Sequence, residues 1–436
     1  MVLEEPPLAY AMDLIFLLMA VFLLMPQSTA AQTRIAVASD THVMAPSLLP
    51  DDARKQNAWK SYYAGQRKML EQSADLFDQL KTTLLDSKPD ILLITGDLTK
   101  DGEKASHDYV KAGLESLRSA GIKVLVIPGN HDFGQEGNHT QFKADGTTAD
   151  APVLAVADFA TYYADYGYTG STTDPNGSLS YVAEPVKGLV ILAIDSHTAA
   201  IGQSTLTWLC HQAKTAHDAG KQVIAMMHHP LFPHIQGLEQ FISTYSIDNY
   251  ENVRNSLIEA GVNVILTGHL HISDIAKDWD SDPDKNIYDI NTGSLISYPC
   301  DYRMLTLSKD RRQLSISTAT LTPTGMTADD CKTWLKDKLK TLLKSRINRS
   351  KYARFLSDDN KELFAEMGAN AFIIHAEGDE YTKEDAAAKL SLVDDDDFLK
   401  PLIGPTLHSL LEDKSNYGDA SHEDQTDDRT LTINLP

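Results

Sequence analysis

In Lys123-Val-Leu-Val-Ile-Pro-Gly-Asn-His-Asp132, a short apolar run gives way at once to an amide, an imidazole and a carboxylate. The apolar part, Lys123–Ile127, is rich in Val, Leu and Ile, as strands buried on both faces are. Pro128 and Gly129 end this run, and glycine permits the tight turn and close backbone approach that a crowded corner needs. The stretch therefore predicts a buried strand that presents polar side chains at its carboxyl end.

Four other apolar runs end in the same way. They are Ile35–Ala38 before Asp40-Thr41-His42, Ile91–Thr95 before Gly96-Asp97, Gln222–Met226 before His228-His229, and Asn263–Thr267 before Gly268-His269-Leu270-His271; Leu189–Ile194 and Ile287–Ile290 are further apolar runs. Helix-spaced apolar residues run from Leu70 to Leu84 and from Val110 to Leu117, and Ser204 is typical of a helix N-cap. The order strand–helix–strand predicts an α/β domain, in which the carboxyl ends of the strands form the ligand-binding edge.

The residue types at these strand ends suit divalent metals. Carboxylate oxygen and neutral imidazole nitrogen bind Mn, Fe and Zn well. A His-x-His or Asp-x-His pair places two donors on the same side of an extended segment, because side chains alternate along a strand. Any one of these motifs is common by chance, and a lone histidine near a strand is more often a hydrogen-bonded core residue. The five motifs together, each behind a strand, predict a metal centre.

Taken in order, the motifs closely resemble those of the calcineurin-like metallophosphoesterase superfamily. The family pattern is D-x-H, G-D, G-N-H-[DE], H and G-H-x-H, and every position is filled here, in Asp40-Thr41-His42, Gly96-Asp97, Gly129-Asn130-His131-Asp132, His228 and Gly268-His269-Leu270-His271. The resemblance covers roughly residues 33–320. It implies an α/β fold, a four-layer α/β/β/α sandwich, with two divalent metal ions at one sheet edge.

The resemblance also implies a role for each motif residue. Asp40, His42 and His271 would hold the first metal ion, Asn130, His228 and His269 the second, and Asp97 would bridge both. We prefer His228 to His229 because the family ligand stands two residues before Pro230. His131 would contact the phosphate and protonate the leaving oxygen. Asp132 would orient His131 or brace the loop rather than bind a metal.

The implied reaction is hydrolysis of a phosphate ester by hydroxide activated between two metal ions, which also neutralise the phosphoryl oxygens. The ions would be Mn, Fe or Zn, since the ligand set does not choose among them. Three subgroups fit poorly: Lys100 stands where purple acid phosphatases have a tyrosine ligand, no Asp-Arg-Gly follows Asp97, and Gly134 replaces the last Asp of the 5′-nucleotidase motif. The remaining resemblance is to the class III cyclic nucleotide phosphodiesterases, in particular a bacterial branch with a helical C-terminal domain.

We therefore expect a phosphodiesterase whose candidate substrates include 3′,5′-cyclic nucleotides. One alternative is a broad phosphomonoesterase or glycerophosphodiester hydrolase on the same fold. The other is a non-catalytic scaffold with a degenerate site, although such relatives usually lose ligands and this sequence loses none. His107, His197 and His234 lie near the motifs in sequence, and any of them could line the pocket, but we interpret each as an ordinary surface or loop residue.

Charge and cysteine content limit the partners. The chain has 436 residues and a formal net charge of −22, so it offers no general surface for polyanions. Nucleic-acid polymers are therefore poor candidate substrates, and a small phosphate ester is the expected partner. If an exported protein forms one disulfide, Cys300 with Cys331 is the favoured pair, and three inert thiols are the alternative.

We predict three segments. Residues 1–31 contain the apolar run Leu14–Met25 followed by small residues, which predicts a signal peptide or an N-terminal anchor but is too short to cross a bilayer. Residues 32–321 would form the catalytic domain and residues 322–436 a smaller helical C-terminal domain. The protein would accordingly be exported or associated with the cell envelope, with a cytoplasmic location as the alternative.

Overall fold

The computed structural model of the chain describes residues 32–135, 137–235, 245–278, 285–350, 353–378, 383–395, 399–411, 416–417 and 428–436. The predicted signal peptide or anchor, residues 1–31, lies outside these residues. Among the helices in the described ranges, none is both long and apolar enough to span a membrane.

The apolar runs singled out in the sequence all form strands. The described strands are β1 (Thr33–Ala38), β2 (Ile91–Ile94), β3 (Lys123–Val126), β4 (Thr140–Phe142), β5 (Thr148–Asp150), β6 (Thr172–Thr173), β7 (Tyr181–Val186), β8 (Leu189–Ile194), β9 (Gln222–Met227), β10 (Val264–Thr267), β11 (Asp274–Asp278), β12 (Ile287–Asn291), β13 (Asp301–Leu307), β14 (Gln313–Thr320), β15 (Asn416–Tyr417) and β16 (Thr430–Asn434). Every residue of β2, β8, β9 and β10 is buried. Interpreting these runs as buried strands is therefore confirmed.

Two sheets contain most of these strands. The first has the order β16-β14-β13-β1-β2-β3, and the second has the order β15-β11-β12-β10-β9-β8-β7-β6. Strands β1, β2 and β3 run parallel, as do β8, β9, β10 and β12. Parallel pairing places the carboxyl ends of neighbouring strands side by side, so the polar residues that follow the strands share one edge in each sheet.

The helices fall into two sets, one between the strands and one after β14. The described helices are α1 (Asp51–Arg54), α2 (Asn57–Ala64), α3 (Ser73–Ser87), α4 (Lys104–Ser119), α5 (Phe159–Tyr162), α6 (Gln203–Asp218), α7 (Tyr250–Glu259), α8 (Ala328–Arg349), α9 (Asp358–Glu377), α10 (Lys383–Asp394) and α11 (Leu399–Leu411). The predicted N-cap at Ser204 is wrong, because Gly202 takes the extended conformation of the N-cap and Ser204 lies in the first turn of α6. Glycine is tolerated at the N-cap position, so α6 begins two residues earlier than the Ser204 hydroxyl indicates.

The two sheets pack face to face and carry helices on their outer faces. One apolar core joins the sheets to α3 and α4 through residues such as Leu80, Leu93 and Ile191. A second core lies between the second sheet and helices α6 and α7, and includes Leu209 and Leu257. This arrangement is the α/β/β/α sandwich that the sequence predicted.

After β14 the chain forms α8 to α11 and then returns to the first sheet. Strand β16 pairs antiparallel with β14, with Leu431 opposite Ile316. Helices α9 to α11 share an apolar cluster with the segment after β10, which contributes Leu270 and Ile272. The helical part of the C-terminal prediction is confirmed in α8 to α11, whereas the return strand was not foreseen and the boundary at residue 322 stays a prediction.

The three cysteines are free thiols. Cys300 and Cys331 are both buried, and each thiol influences the other, which raises the pKa of Cys300 and lowers the pKa of Cys331. The pair favoured by the sequence is therefore adjacent in the fold, without a disulfide between the two sulfur atoms.

Candidate metal centre

The carboxyl edges of the two sheets meet, and the predicted ligands lie where they meet. Within the first sheet, Asp40 N donates to Gly96 O at 3.1 Å. Between the sheets, His269 N donates to Asp40 Oδ2 at 2.8 Å, and His228 Nδ1 donates to Thr95 O at 2.8 Å. These bonds fix strand ends that are far apart in the sequence beside one another.

Asp40, His42 and His271 form the first ligand group. His42 Nε2 lies 3.1 Å from His271 Nε2, and the two nitrogens lie 3.6 and 3.2 Å from Asp40 Oδ1. Asp40 Oδ1 is buried and receives no hydrogen bond from the described part of the chain. Two imidazole nitrogens and a carboxylate oxygen thus converge without satisfying one another, and such an arrangement is stabilised by a cation.

Asp97, His228 and His269 form the second ligand group, and Asn130 joins it. Asn130 Oδ1 lies 3.1 Å from both His228 Nε2 and His269 Nδ1. Because His228 donates its Nδ1 proton to a backbone carbonyl, Nε2 is the nitrogen that a metal ion would bind in the neutral ring. Asp97 Oδ2 lies 3.3 Å from His228 Nε2 and 3.4 Å from His42 Nε2, so one oxygen faces both groups.

The donor atoms fit two divalent ions. In each group, the carboxylate and the two imidazoles offer ligand atoms that all lie within 4.8 Å of one another. Carboxylate, imidazole and amide donors suit Mn, Fe and Zn alike, so the residues do not select one of these metals. All seven predicted ligands are thus brought together, and their division between individual ions stays a prediction.

The backbone at the ligands is strained. Positive φ angles occur at Asp40 (49°), His42 (35°), Asp97 (50°), His269 (72°) and His271 (62°). Residues with side chains rarely adopt this left-handed conformation, which persists where the surrounding structure enforces it. Glycine is required nearby, since a Cβ at Gly129 would lie 2.2 Å from Asp97 Oδ1 and one at Gly268 would lie 1.8 Å from Ser39 Oγ. The expectation of close backbone approach at these glycines is confirmed.

Burial and mutual contacts set the protonation of the ligands. Burial opposes ionisation of Asp40, but the neighbouring His271 holds the pKa of Asp40 well below its usual range. Burial lowers the pKa of His42 and the pKa of His269 to about 3. An ionised carboxylate and neutral imidazoles are the forms that bind metal, so these residues are ready for coordination at neutral pH.

His228 differs from the other ligand histidines because its pKa is raised and not lowered. Burial lowers its pKa, but the carboxylate of Asp97 raises the pKa of His228 to about 9. A positive charge is therefore stabilised at this point, and a proton and a metal ion compete for it.

His131, the predicted proton donor, stands beside the centre and in neither ligand group. Its Nδ1 lies 2.7 Å from Asp101 Oδ1, and its backbone N donates to Asp97 Oδ1 at 2.8 Å. Burial opposes ionisation of Asp101, but the hydrogen bond from His131 keeps the pKa of Asp101 low. An ionised carboxylate only accepts, so Nδ1 carries a proton and Nε2 is left for other contacts. Lys68 Nζ lies 3.3 Å from His131 Nε2 and 3.3 Å from His42 Nδ1.

Sequence reasoning missed Lys68 and Asp101. Asp101 follows Asp97 by four residues in the turn after β2, so its closeness to the centre could have been inferred from spacing. Lys68 follows no strand, and its position depends on a tertiary contact in which Met69 N donates to Ile296 O at 2.8 Å. No local pattern in the sequence signals that contact.

Two further residues near the centre behave as the sequence predicted. Asp132 accepts hydrogen bonds from the backbone N atoms of Leu98, Thr99 and Gly129 at 3.2, 3.0 and 2.9 Å, so it braces the loop. His229 is buried and stands in neither ligand group, with its ring centroid 4.2 Å from that of His269.

The interpretation of His107 as a surface or loop residue is wrong, because it is buried within α4, whereas His234 does lie in a loop but is buried there. Each finds polar partners inside the protein. The ring nitrogens of His107 lie 2.8 Å from Tyr163 Oη and 2.9 Å from Asp132 O. His234 lies between two buried carboxylates, at 2.9 and 3.1 Å.

Comparison with known proteins agrees with this geometry. The family model described as calcineurin-like phosphoesterase matches residues 33–273. A probable cyclic nucleotide phosphodiesterase of Rhodococcus erythropolis is 27% identical over 196 residues, which cover 44% of this chain and 54% of that protein. A cAMP/cGMP dual specificity phosphodiesterase of Mycobacterium tuberculosis is 26% identical over 205 residues, which cover 46% of this chain and 53% of that protein. The chain thus spans about half the length of the curated relatives it matches.

Among solved structures, a dimetal phosphatase from Danio rerio is similar to this chain. It shares 14% identity with this chain at a TM-score of 0.46, over 66% of this chain and 96% of that one.

Proposed function

Because the chain belongs to the calcineurin-like phosphoesterase family, we propose that it hydrolyses phosphodiesters at the two ligand groups and that 3′,5′-cyclic nucleotides are its substrates. The observation that carries the proposal is the position of the Asp97 carboxylate, whose Oδ2 lies within 3.4 Å of an imidazole from each group and whose Oδ1 accepts from His131 N. The substrate class is supported by the two relatives, both of which are named for cyclic nucleotides.

In this proposal each ligand group holds one divalent ion. Asp40, His42 and His271 would hold the first ion, Asn130, His228 and His269 would hold the second, and Asp97 would serve both. When bound, the two ions lower the pKa of a water nucleophile and neutralise the phosphoryl oxygens. The ionised carboxylates and neutral imidazoles described above supply the donor atoms without further proton loss, except at His228.

His131 delivers a proton to the leaving oxygen. Asp101 holds the Nδ1–H group, which fixes the ring so that Nε2 lies beside Lys68 and the first ligand group. A proton on Nε2 passes to the oxygen of the breaking P–O bond, and the Asp101 carboxylate stabilises the ring while it carries both protons. The Lys68 ammonium donates to a non-bridging phosphoryl oxygen, since it lies within hydrogen-bond distance of both His131 and His42.

A second candidate is broad hydrolysis of phosphate monoesters at the same centre. It is favoured by Lys68, because an additional cation beside the ligand groups suits the extra negative charge of a monoester. Glycerophosphodiesters belong to the first candidate's reaction type and differ only in the leaving group. The chain is a phosphoesterase, so the scaffold alternative is not retained.

The deciding experiment removes the metals and then replaces them. The purified protein is stripped with a chelator and reloaded separately with Mn, Fe or Zn. Turnover of cyclic AMP, bis(p-nitrophenyl) phosphate and p-nitrophenyl phosphate is then measured. We expect both diesters to be hydrolysed by at least one reloaded form and by no stripped form. Hydrolysis of the monoester alone would favour the second candidate, and activity that persists after stripping would refute the metal assignment.

A further inference from the structure

A cavity of about 340 Å³ lies beside the metal centre, at the carboxyl end of β8. Strand β8 is parallel to β9, and its last residue, Ile194, pairs with Met227. The next residues, Asp195 and His228, therefore stand level with each other, one strand spacing of about 4.7–4.9 Å apart along the sheet edge. The cavity therefore lies at the end of the strand next to the one that precedes His228.

Direct contacts join the cavity wall to the centre. His229 N donates to Ser196 Oγ at 3.0 Å, and the ring centroids of His229 and His269 are 4.2 Å apart. On the other side, the ring centroids of His197 and Phe133 are 5.0 Å apart. Phe133 stands two residues after the predicted proton donor. Residues at the cavity wall thus pack against residues that adjoin the second ligand group and the predicted proton donor.

The lining of the cavity suits a planar heteroaromatic group. Val156, Leu179 and Ile201 supply apolar surface, and Asp195 and His197 supply polar atoms. Sites for small molecules are usually apolar with a few placed polar groups and enclose about 300–1,000 Å³. This cavity lies at the lower end of that range, which suits one ring system rather than a long chain.

Asp195 fixes the ring of His197 as a hydrogen-bond acceptor. Asp195 Oδ1 lies 2.7 Å from His197 Nδ1 and accepts from His197 N at 3.2 Å, while its Oδ2 accepts from Leu179 N at 3.0 Å. Because the carboxylate only accepts, His197 Nδ1 carries a proton, and Nε2 of the neutral ring is then an acceptor. The side chain of His197 is 13% exposed and lines the cavity.

We propose that this cavity binds the nucleobase of a cyclic nucleotide whose phosphate lies at the metal centre, and that His197 Nε2 accepts a hydrogen bond from an amino group of the base. The inference rests on the proposed function and names the part of the substrate that the metals do not contact. It favours bases with an exocyclic amino group over hypoxanthine, whose oxo group would face Nε2 as a second acceptor.

The test compares cyclic AMP with cyclic IMP, which carries an oxo group in place of the amino group, in the metal-loaded enzyme. We expect kcat/KM for cyclic AMP to exceed that for cyclic IMP about tenfold, the effect of one satisfied hydrogen bond. His197→Phe keeps a ring of similar size without the acceptor and should abolish this preference. Binding of the product AMP, measured by calorimetry against IMP, should show the same order without turnover.

A second variant keeps the test independent of His197. Ala200→Trp places a large side chain at the exposed rim of the cavity and should lower the ratio of cyclic AMP to bis(p-nitrophenyl) phosphate turnover about tenfold or more. His211→Phe, on the exposed face of α6, is the matched control and should change neither ratio. Unchanged ratios in both His197→Phe and Ala200→Trp would overturn the base site. Failure of the wild type to hydrolyse either cyclic nucleotide would overturn the proposed function instead.

Discussion

The metal centre and a second buried polar cluster use the same residue types in opposite ways. The second cluster, here the paired cluster, consists of His234, Asp274, Asp289, Asp301, Arg303 and Arg429. Within it acids alternate with bases, since the two ring nitrogens of His234 lie 2.9 Å from Asp274 Oδ2 and 3.1 Å from Asp289 Oδ2. In the metal centre, by contrast, His42 Nε2 and His271 Nε2 face each other at 3.1 Å. Complementary pairs neutralise charge within the protein, whereas converging ligands leave it for a cation.

The backbone conformation also differs between the metal centre and the paired cluster. Five of the seven predicted metal ligands have positive φ, whereas none of the six residues of the paired cluster does. Strain of this kind persists only where packing and pairing elsewhere compensate for it. The comparison teaches that the centre is held in an unfavourable conformation by surroundings in which acids lie beside bases.

The paired cluster lies where it can provide that support. Arg303 Nη1 donates to Asp428 O at 2.7 Å, and Arg429 Nη1 lies 3.0 Å from Asp301 Oδ2. Ser273 Oγ donates to the same Asp301 oxygen at 2.8 Å. Since Ser273 stands two residues after a predicted metal ligand, these bonds tie the C-terminal segment and β13 to the loop that carries the second-sheet ligands.

Removing the carboxylate of Asp97, whose Oδ2 faces both ligand groups, should have the largest effect on activity. We expect Asp97→Ala to lower diesterase activity more than about 10³-fold and to reduce bound metal. The metal-free variant should lose about 1–3 kcal/mol in unfolding free energy, because the bond from His131 N and the buried partner of His228 are both lost. Enzyme assays, metal analysis and urea unfolding check these points, with the exposed Asp108→Ala as control. Retained activity would refute the bridging role.

His131→Ala separates chemistry from metal binding within the centre. Because His131 stands in neither ligand group, we expect kcat to fall by roughly 10²–10⁴, the range for general acid catalysis, while metal content stays near normal. His211→Ala, at an exposed site, is the control for loss of an imidazole. Loss of both ions from the variant would make His131 a ligand or a structural residue instead.

Breaking the paired cluster should lower stability. Asp289 pairs with His234 in a fully buried position and accepts from Leu231 N and Phe232 N at 2.6 and 3.1 Å. We expect Asp289→Ala to lower the unfolding free energy by about 3–5 kcal/mol, since it leaves a buried charge without its partner. Urea unfolding of the metal-free protein, beside Asp97→Ala, measures the contrast. If Asp289→Ala unfolds at the same urea concentration as the wild type, the paired cluster does not stabilise the fold and the contrast with the metal centre is wrong.

The paired cluster should also respond to pH in a defined direction. Burial lowers the pKa of His234, but Asp274 and Asp289 raise it to about 10. Because this folded pKa exceeds the unfolded value of about 6.5, the stabilisation is fully present below about pH 6.5 and is lost as pH rises towards about 10, by at most about 1.4 kcal/mol per pH unit. Unfolding of wild type and His234→Gln across this range checks the prediction. Parallel pH curves for the two proteins would contradict it.

The smallest expected effect concerns Lys68, the lysine beside the metal centre. Lys68→Met should lower kcat/KM about tenfold and weaken binding of inorganic phosphate, because one charged hydrogen bond to the phosphoryl group is lost. Lys68→Arg should retain most activity, and Lys60→Met, at an exposed site, is the control. Phosphate binding that is unchanged in Lys68→Met would show that the ammonium does not reach the substrate.

The contrast between the clusters also explains what the sequence could predict. The strands and the predicted ligands could be found because each ligand stands within a few residues of an apolar run, as Asp97 does after β2. The paired cluster has no such local signal, since Asp301 and Arg429 are 128 residues apart. Lys68 was missed for the same reason, because its neighbour His131 is 63 residues away. Contacts made only by the tertiary fold leave no short pattern to find.

The return strand β16 has a consequence for dissecting the molecule. Helices α8 to α11 lie between two strands that are neighbours in one sheet, so they form an insertion and not an appendage. A chain cut after Thr320 would uncover the backbone N–H and C=O groups along Gln313–Ser317, where β16 now pairs. An open edge of this kind recruits other chains and promotes aggregation. A minimal catalytic unit would therefore need β14 joined directly to β16 by a short linker.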